Sequence, residues 1–152
     1  RRIADVDAEG ESPYLERMIC AWEDGRSAYL VTPHHAGGDL LRYIKEAGAV
    51  GYALLRTWAA EIACGLVSLQ DLGIVHGAVR PSAVMIRAGG HIVLGGFENA
   101  SHLTNVSTAV SDRGISKEWY HAPELLLGWE VGLEVDWWGY GIVLAWMACG
   151  QV

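Results

Sequence analysis

A single phenylalanine stands among 152 residues, beside four prolines and three cysteines. The cysteines, Cys20, Cys64 and Cys149, are odd in number and widely spaced, which gives neither a disulfide framework nor a zinc-ligand spacing. They are expected to be buried, reduced thiols, which sets the chain inside a cell, in the cytoplasm. Basic charge is scarce: 11 Lys and Arg face 18 Asp and Glu, the net charge is −7, and no Lys/Arg cluster occurs. Nucleic acid is therefore not an expected partner, because phosphate backbones need such a cluster. Long hydrophobic runs are missing too. The most apolar stretch, Trp137 to Cys149, falls short of the ~20 residues of a membrane span. No basic-then-apolar signal segment opens the sequence, so no membrane contact is expected.

What is present is the composition of one folded core. Hydrophobic residues make up 51% and charged residues 19%, which excludes a disordered chain, and 152 residues suffice for one domain. Leu15 to Trp22 and Ala28 to Val31 read as a hairpin closed by Asp24-Gly25. Ala36-Gly37-Gly38 is a link, and Asp39 is placed to cap a helix over Leu40 to Lys45. Trp58, Ile62, Leu66 and Leu69 recur at steps of four, four and three, the signature of one helix face. Ile74-Val75 reads as a strand, and Val84 to Ile86 with Ile92 to Leu94 as a second hairpin. Residues 99–118 read as a long polar loop, Pro123 to Leu127 as a short helix, and Asp136 to Cys149 as a helix apolar nearly all round and hence buried. Strands early and helices late, without βαβ alternation, give an α+β class.

The order of motifs narrows this further. His76-Gly77-Ala78-Val79-Arg80-Pro81-Ser82-Ala83 resembles the protein-kinase catalytic loop, His-Arg-Asp-Leu-Lys-Pro-x-Asn. Gly96-Phe97-Glu98 is similar to the Asp-Phe-Gly motif, Ala122-Pro123-Glu124 to the Ala-Pro-Glu segment that follows Trp119-Tyr120, and Asp136-Trp137-Trp138-Gly139 to the start of the large buried helix. Tyr29-Leu30-Val31 and Gly37-Gly38-Asp39-Leu40 resemble the hinge region of Ser/Thr kinases. The resemblance implies a partial kinase-like fold: a remnant of the small lobe over 1–31, a hinge over 32–38 and the first part of the large lobe over 39–152. It places the glycine-rich loop and the strand lysine before residue 1, makes Arg1 to Ala4 the end of the regulatory helix, and puts the late helices after Val152. Glu124 then lacks the arginine those helices supply.

By the same resemblance, the chemistry is gone. Phosphoryl transfer needs a carboxylate to orient the attacking hydroxyl and oxygen ligands for magnesium. The three family positions hold Ala78, Ala83 and Gly96, while Arg80 keeps only the charge of the loop lysine and Glu98 adds an acid where phosphate would lie. Gly77 and Lys117 replace two further functional residues, an Arg and a Thr. The expectation is a pseudokinase without metal or magnesium, with ATP binding weak or absent. Adenine contacts remain open to the Pro33 carbonyl and the His35 N–H, beside Thr32, since hinge recognition uses backbone. The packing residues are retained: Met18, His76 and Phe97, with Ala4, match the column that joins the lobes, and Asp136 the aspartate that holds the catalytic loop. A protein partner, or the remainder of its own chain, is expected to complete it as a binding or scaffolding module. The alternatives are an active but degenerate Ser/Thr kinase using ATP, and a truncated relic.

Other patterns carry less. His34-His35 point apart on an extended chain and make no chelate. Ser82 lacks a nucleophile elbow, which removes a triad with His76 and Asp136. Trp58, Trp137, Trp138 and Trp146 are expected in the core. Thr104, Ser107 and Thr108 are ordinary loop residues, and Asp5, Asp7, Glu9 and Glu11 a solvated acidic patch.

Overall fold

The fold was taken from a computed structural model that describes residues 2–5, 12–103, 121–129 and 131–150, with the backbone alone for 2–5. Expectations about Asp7, Glu9, Glu11, Thr104, Ser107, Thr108, Lys117, Trp119 and Tyr120, and about the side chains of Ala4 and Asp5, lie outside the described residues.

The Asp39 carboxylate accepts the Arg42 N–H at 2.8 Å and so opens helix α1, Leu40–Ala47. Helix α2, Tyr52–Asp71, follows and turns its Trp58-Ile62-Leu66-Leu69 face inward. All four side chains are at most 4% exposed. At about 25 cal/mol per Å² of apolar surface, such a row dominates local stability. The Trp58 indole N–H donates to the Gly90 carbonyl at 2.8 Å, which satisfies its polar tip.

Strand β1 is Arg2–Asp5, β2 Cys20–Glu23 and β3 Ala28–Val31, one antiparallel sheet in that order. Two expectations change here. Arg2 to Ala4 do not end a helix: Arg2–Asp5 pairs along β2 as an edge strand. The first hairpin strand begins at Cys20 and not at Leu15. The stretch around Leu15 bonds elsewhere, Leu94 N–H to the Tyr14 carbonyl and Glu16 N–H to the Leu94 carbonyl, both at 2.8 Å. Backbone groups already paired to one strand cannot extend another.

Short strand β4, Ile74–Val75, precedes the catalytic-loop-like segment, and β5, Val84–Ile86, pairs with β6, Ile92–Leu94, in register Val84 to Leu94. Strand β7, Ser101–His102, returns beside β4. Helix α3, Pro123–Leu127, has Pro in its first turn, and α4, Glu134–Cys149, packs on α2. Val135, Asp136, Gly139, Val143 and Met147 form the buried stripe of α4. Its other side is open: Trp138 is 48% exposed and Ala145 and Cys149 are exposed, so neither burial all round nor a core role for Trp138 holds. Cys64 is exposed as well, and Cys20 is half-buried, against the expectation of buried thiols. No helix of the described residues is long and apolar enough to cross a membrane.

Candidate functional site

A buried aspartate organises the loop between β4 and β5. Asp136 leaves the first turn of α4 and accepts two backbone N–H groups, from His76 at 2.7 Å and Gly77 at 2.8 Å. It is 2% exposed, and burial pushes its carboxyl above the ordinary carboxylate value while the two N–H bonds pull it back. The His76 ring is fully buried beside it. Its Nε2–H donates to the Gly95 carbonyl at 2.8 Å and its Nδ1 accepts the Ala78 N–H at 3.3 Å. One nitrogen donating and the other accepting is the neutral imidazole, and burial lowers its pKa below the usual value. Phe97 packs on this ring with centroids 5.1 Å apart.

The loop thus held brings Ala78, Arg80, Ala83 and Gly96 to one place. Ala78 and Ala83 are each 3% exposed and offer only methyl groups. Gly96 has φ 75°, a left-handed backbone, and a Cβ there would stand 3.0 Å from the Ala83 Cβ. Arg80 donates from one terminal nitrogen to Glu98 at 2.8 Å and from Nε to the Ser82 hydroxyl at 3.0 Å. The two charged side chains of this region therefore bond to each other.

A second carboxylate lies close by. A side chain at Gly95 would run into Glu16, whose carboxylate fills that space. Glu16 is bonded to the His35 ring at 3.1 Å, and both are largely buried. The Pro33 carbonyl and His35 N–H carry no hydrogen bond among the described residues. Met18 is half-buried. The Glu124 side chain has no hydrogen bond or ion pair among the described residues, and no group of three His, Cys, Asp or Glu there could hold a metal ion.

Sequence reasoning brought His76, Phe97 and Asp136 together with Ala78, Arg80, Ala83 and Gly96. It missed the Glu16–His35 pair, which joins residues 19 apart across no periodic pattern. It also missed Glu61, which accepts the Ile92 N–H at 2.9 Å, pairs with His91, and ties α2 to β6. An acid on the apolar face of α2 was the signal for the second.

The protein kinase domain family matches residues 5–152. The chain belongs to that family. Among curated kinases, mouse (Mus musculus) protein kinase C delta type is 33% identical over 145 residues, 93% of this chain and 21% of the relative. The Rho-associated protein kinase let-502 of Caenorhabditis briggsae is 29% identical over 97% of this chain and 13% of its own. The mouse serine/threonine-protein kinase MRCK alpha is 29% identical over 99% and 9%. The chain spans about a fifth or less of these relatives. The expected mixed fold, strands before helices, is that of a kinase-domain segment.

Proposed function

We propose that this kinase-domain chain is a pseudokinase, a binding or scaffolding module that transfers no phosphate. The observation that carries the reading is the Arg80–Glu98 ion pair at 2.8 Å. In phosphoryl transfer, cationic groups neutralise the charge of the transferring group and carboxylates hold the metal. Here the cation at the loop-lysine position bonds the acid at the motif-glycine position, while Ala78, Ala83 and Gly96 supply no oxygen for a hydroxyl or for magnesium. Phosphate entering this region meets the Glu98 carboxylate and, among the described residues, no ligand set for a metal to offset it. The expected setting is intracellular, with a protein partner or further chain against the exposed side of α4.

Nucleotide binding tests this reading. A ligand at 100 times its dissociation constant stabilises a protein by about 2.7 kcal/mol. Thermal unfolding in millimolar ATP should give no greater rise in melting temperature with magnesium than without. A clear magnesium-dependent rise would favour the other reading, a degenerate but active Ser/Thr kinase.

A further inference from the structure

Against residues 33–36 lies a cleft of about 570 Å³, within the range of small-molecule sites. It is separate from the loop described above: none of Ala78, Arg80, Ala83, Gly96 or Glu98 lines it. Among the described residues its wall carries Arg17, Arg87 and His34, with Ser12 at one side and one carboxylate, Glu16. That carboxylate is already bonded to His35. Neither guanidinium has an ion pair or a side-chain hydrogen bond among the described residues. On a chain with net charge −7, two arginines in one concavity, neither bonded to an acid among the described residues, are an unusual concentration of positive charge.

We infer that this cleft is an anion site that takes a phosphate monoester. A guanidinium presents a planar fork of donors that matches phosphate oxygens two at a time. A phosphate monoester carries about −1.5 to −2 near neutral pH, which matches two guanidinium groups, whereas a carboxylate carries a single charge. Concave walls on which positive charge predominates also focus the field on an anionic ligand. The cleft is larger than a bare phosphate, so the ligand bears more than its headgroup: a phosphorylated side chain of a peptide, or a free phosphate ester. The inference stands independently of whether the chain transfers phosphate.

Calorimetric titration of the full chain separates the outcomes. The probes are O-phospho-L-serine, the peptide Ala-Ala-phosphoserine-Ala-Ala, and the same peptide with serine. Both phosphorylated probes should bind one to one and the serine peptide should not. Tighter binding of the phosphopeptide assigns the site to a phosphorylated chain, and equal binding assigns it to a free ester. The double substitution R17Q/R87Q should weaken binding at least about tenfold, or ~1.4 kcal/mol, with an unchanged melting temperature. R42Q, outside the cleft where Arg42 pairs with Glu46, should leave binding as it was. Should the double variant fold poorly, amide shifts of the intact chain with O-phospho-L-serine decide, and they should centre on Ser12, Arg17, His34 and Arg87. No binding at millimolar probe, equal affinity in R17Q/R87Q, or shifts centred elsewhere would overturn the inference.

Discussion

Nδ1 of His76 accepts a hydrogen bond from the Ala78 N–H, so a proton on Nδ1 would set donor against donor in a buried place. This is why burial and bonding together keep the ring neutral. The consequence for stability has a definite sign. The folded pKa lies below the ordinary 6.5, so below that pH the unfolded chain binds the proton more readily. Stability from this group is complete above the unfolded value and is lost as pH falls through it. Asp136, raised by burial, acts in the opposite sense, because the folded chain then holds a proton more readily than the unfolded one. Of the groups whose value is shifted, His76 is the one whose ordinary value lies near neutral, so its contribution should make the urea midpoint fall between about pH 7.5 and about pH 5.5. A midpoint that rises over this interval would contradict the assigned tautomer. Asp136 accepts two backbone N–H groups of the loop, from His76 and Gly77. Asp136→Asn keeps the volume and one acceptor, and should cost roughly 1–3 kcal/mol in urea unfolding. A loss within error would mean that the loop does not depend on these bonds.

Helices α1 and α2 were legible because their signals are local. Asp39 lies one residue before an apolar run, and the α2 face repeats at helical steps. The β5–β6 hairpin and α3 appeared at the expected residues for the same reason. What escaped depends on distant pairing. Leu15 and Glu16 look like the start of a strand, yet this stretch pairs with Leu94, about 80 residues on, through the Tyr14 carbonyl and the Glu16 N–H. The α4 face was misjudged because apolarity all round does not say which neighbours exist, and Trp138 and Cys149 stay open. The site's occupants were readable from motif order, but the Arg80–Glu98 and Glu16–His35 pairs were not, since no spacing rule links an acid to a base across a loop. Ile62 is wholly buried at the centre of the α2 face. Ile62→Ala should therefore cost about 2–5 kcal/mol by denaturant titration, the range for deleting a core aliphatic side chain. A cost under about 1 kcal/mol would mean that α2 does not anchor this core.

At the scale of the molecule, the proposed reading separates scaffold from chemistry. One network of Asp136, His76, Phe97 and the Gly95 carbonyl holds the loop as a kinase domain would need it. The side chains at this place are methyl groups, a glycine and the Arg80–Glu98 ion pair. Such a frame can hold a shape for a partner without turning over a substrate. The partly exposed Arg80–Glu98 pair adds little to stability, ~0–1 kcal/mol, so its main consequence is electrostatic: it occupies the cation that would meet phosphate. The most direct measurement is phosphate transfer itself. The full chain, with radiolabelled ATP, magnesium or manganese and a peptide library, should incorporate no more label than a heat-inactivated control. Incorporation above that control, in a preparation free of other kinases, would contradict the pseudokinase account.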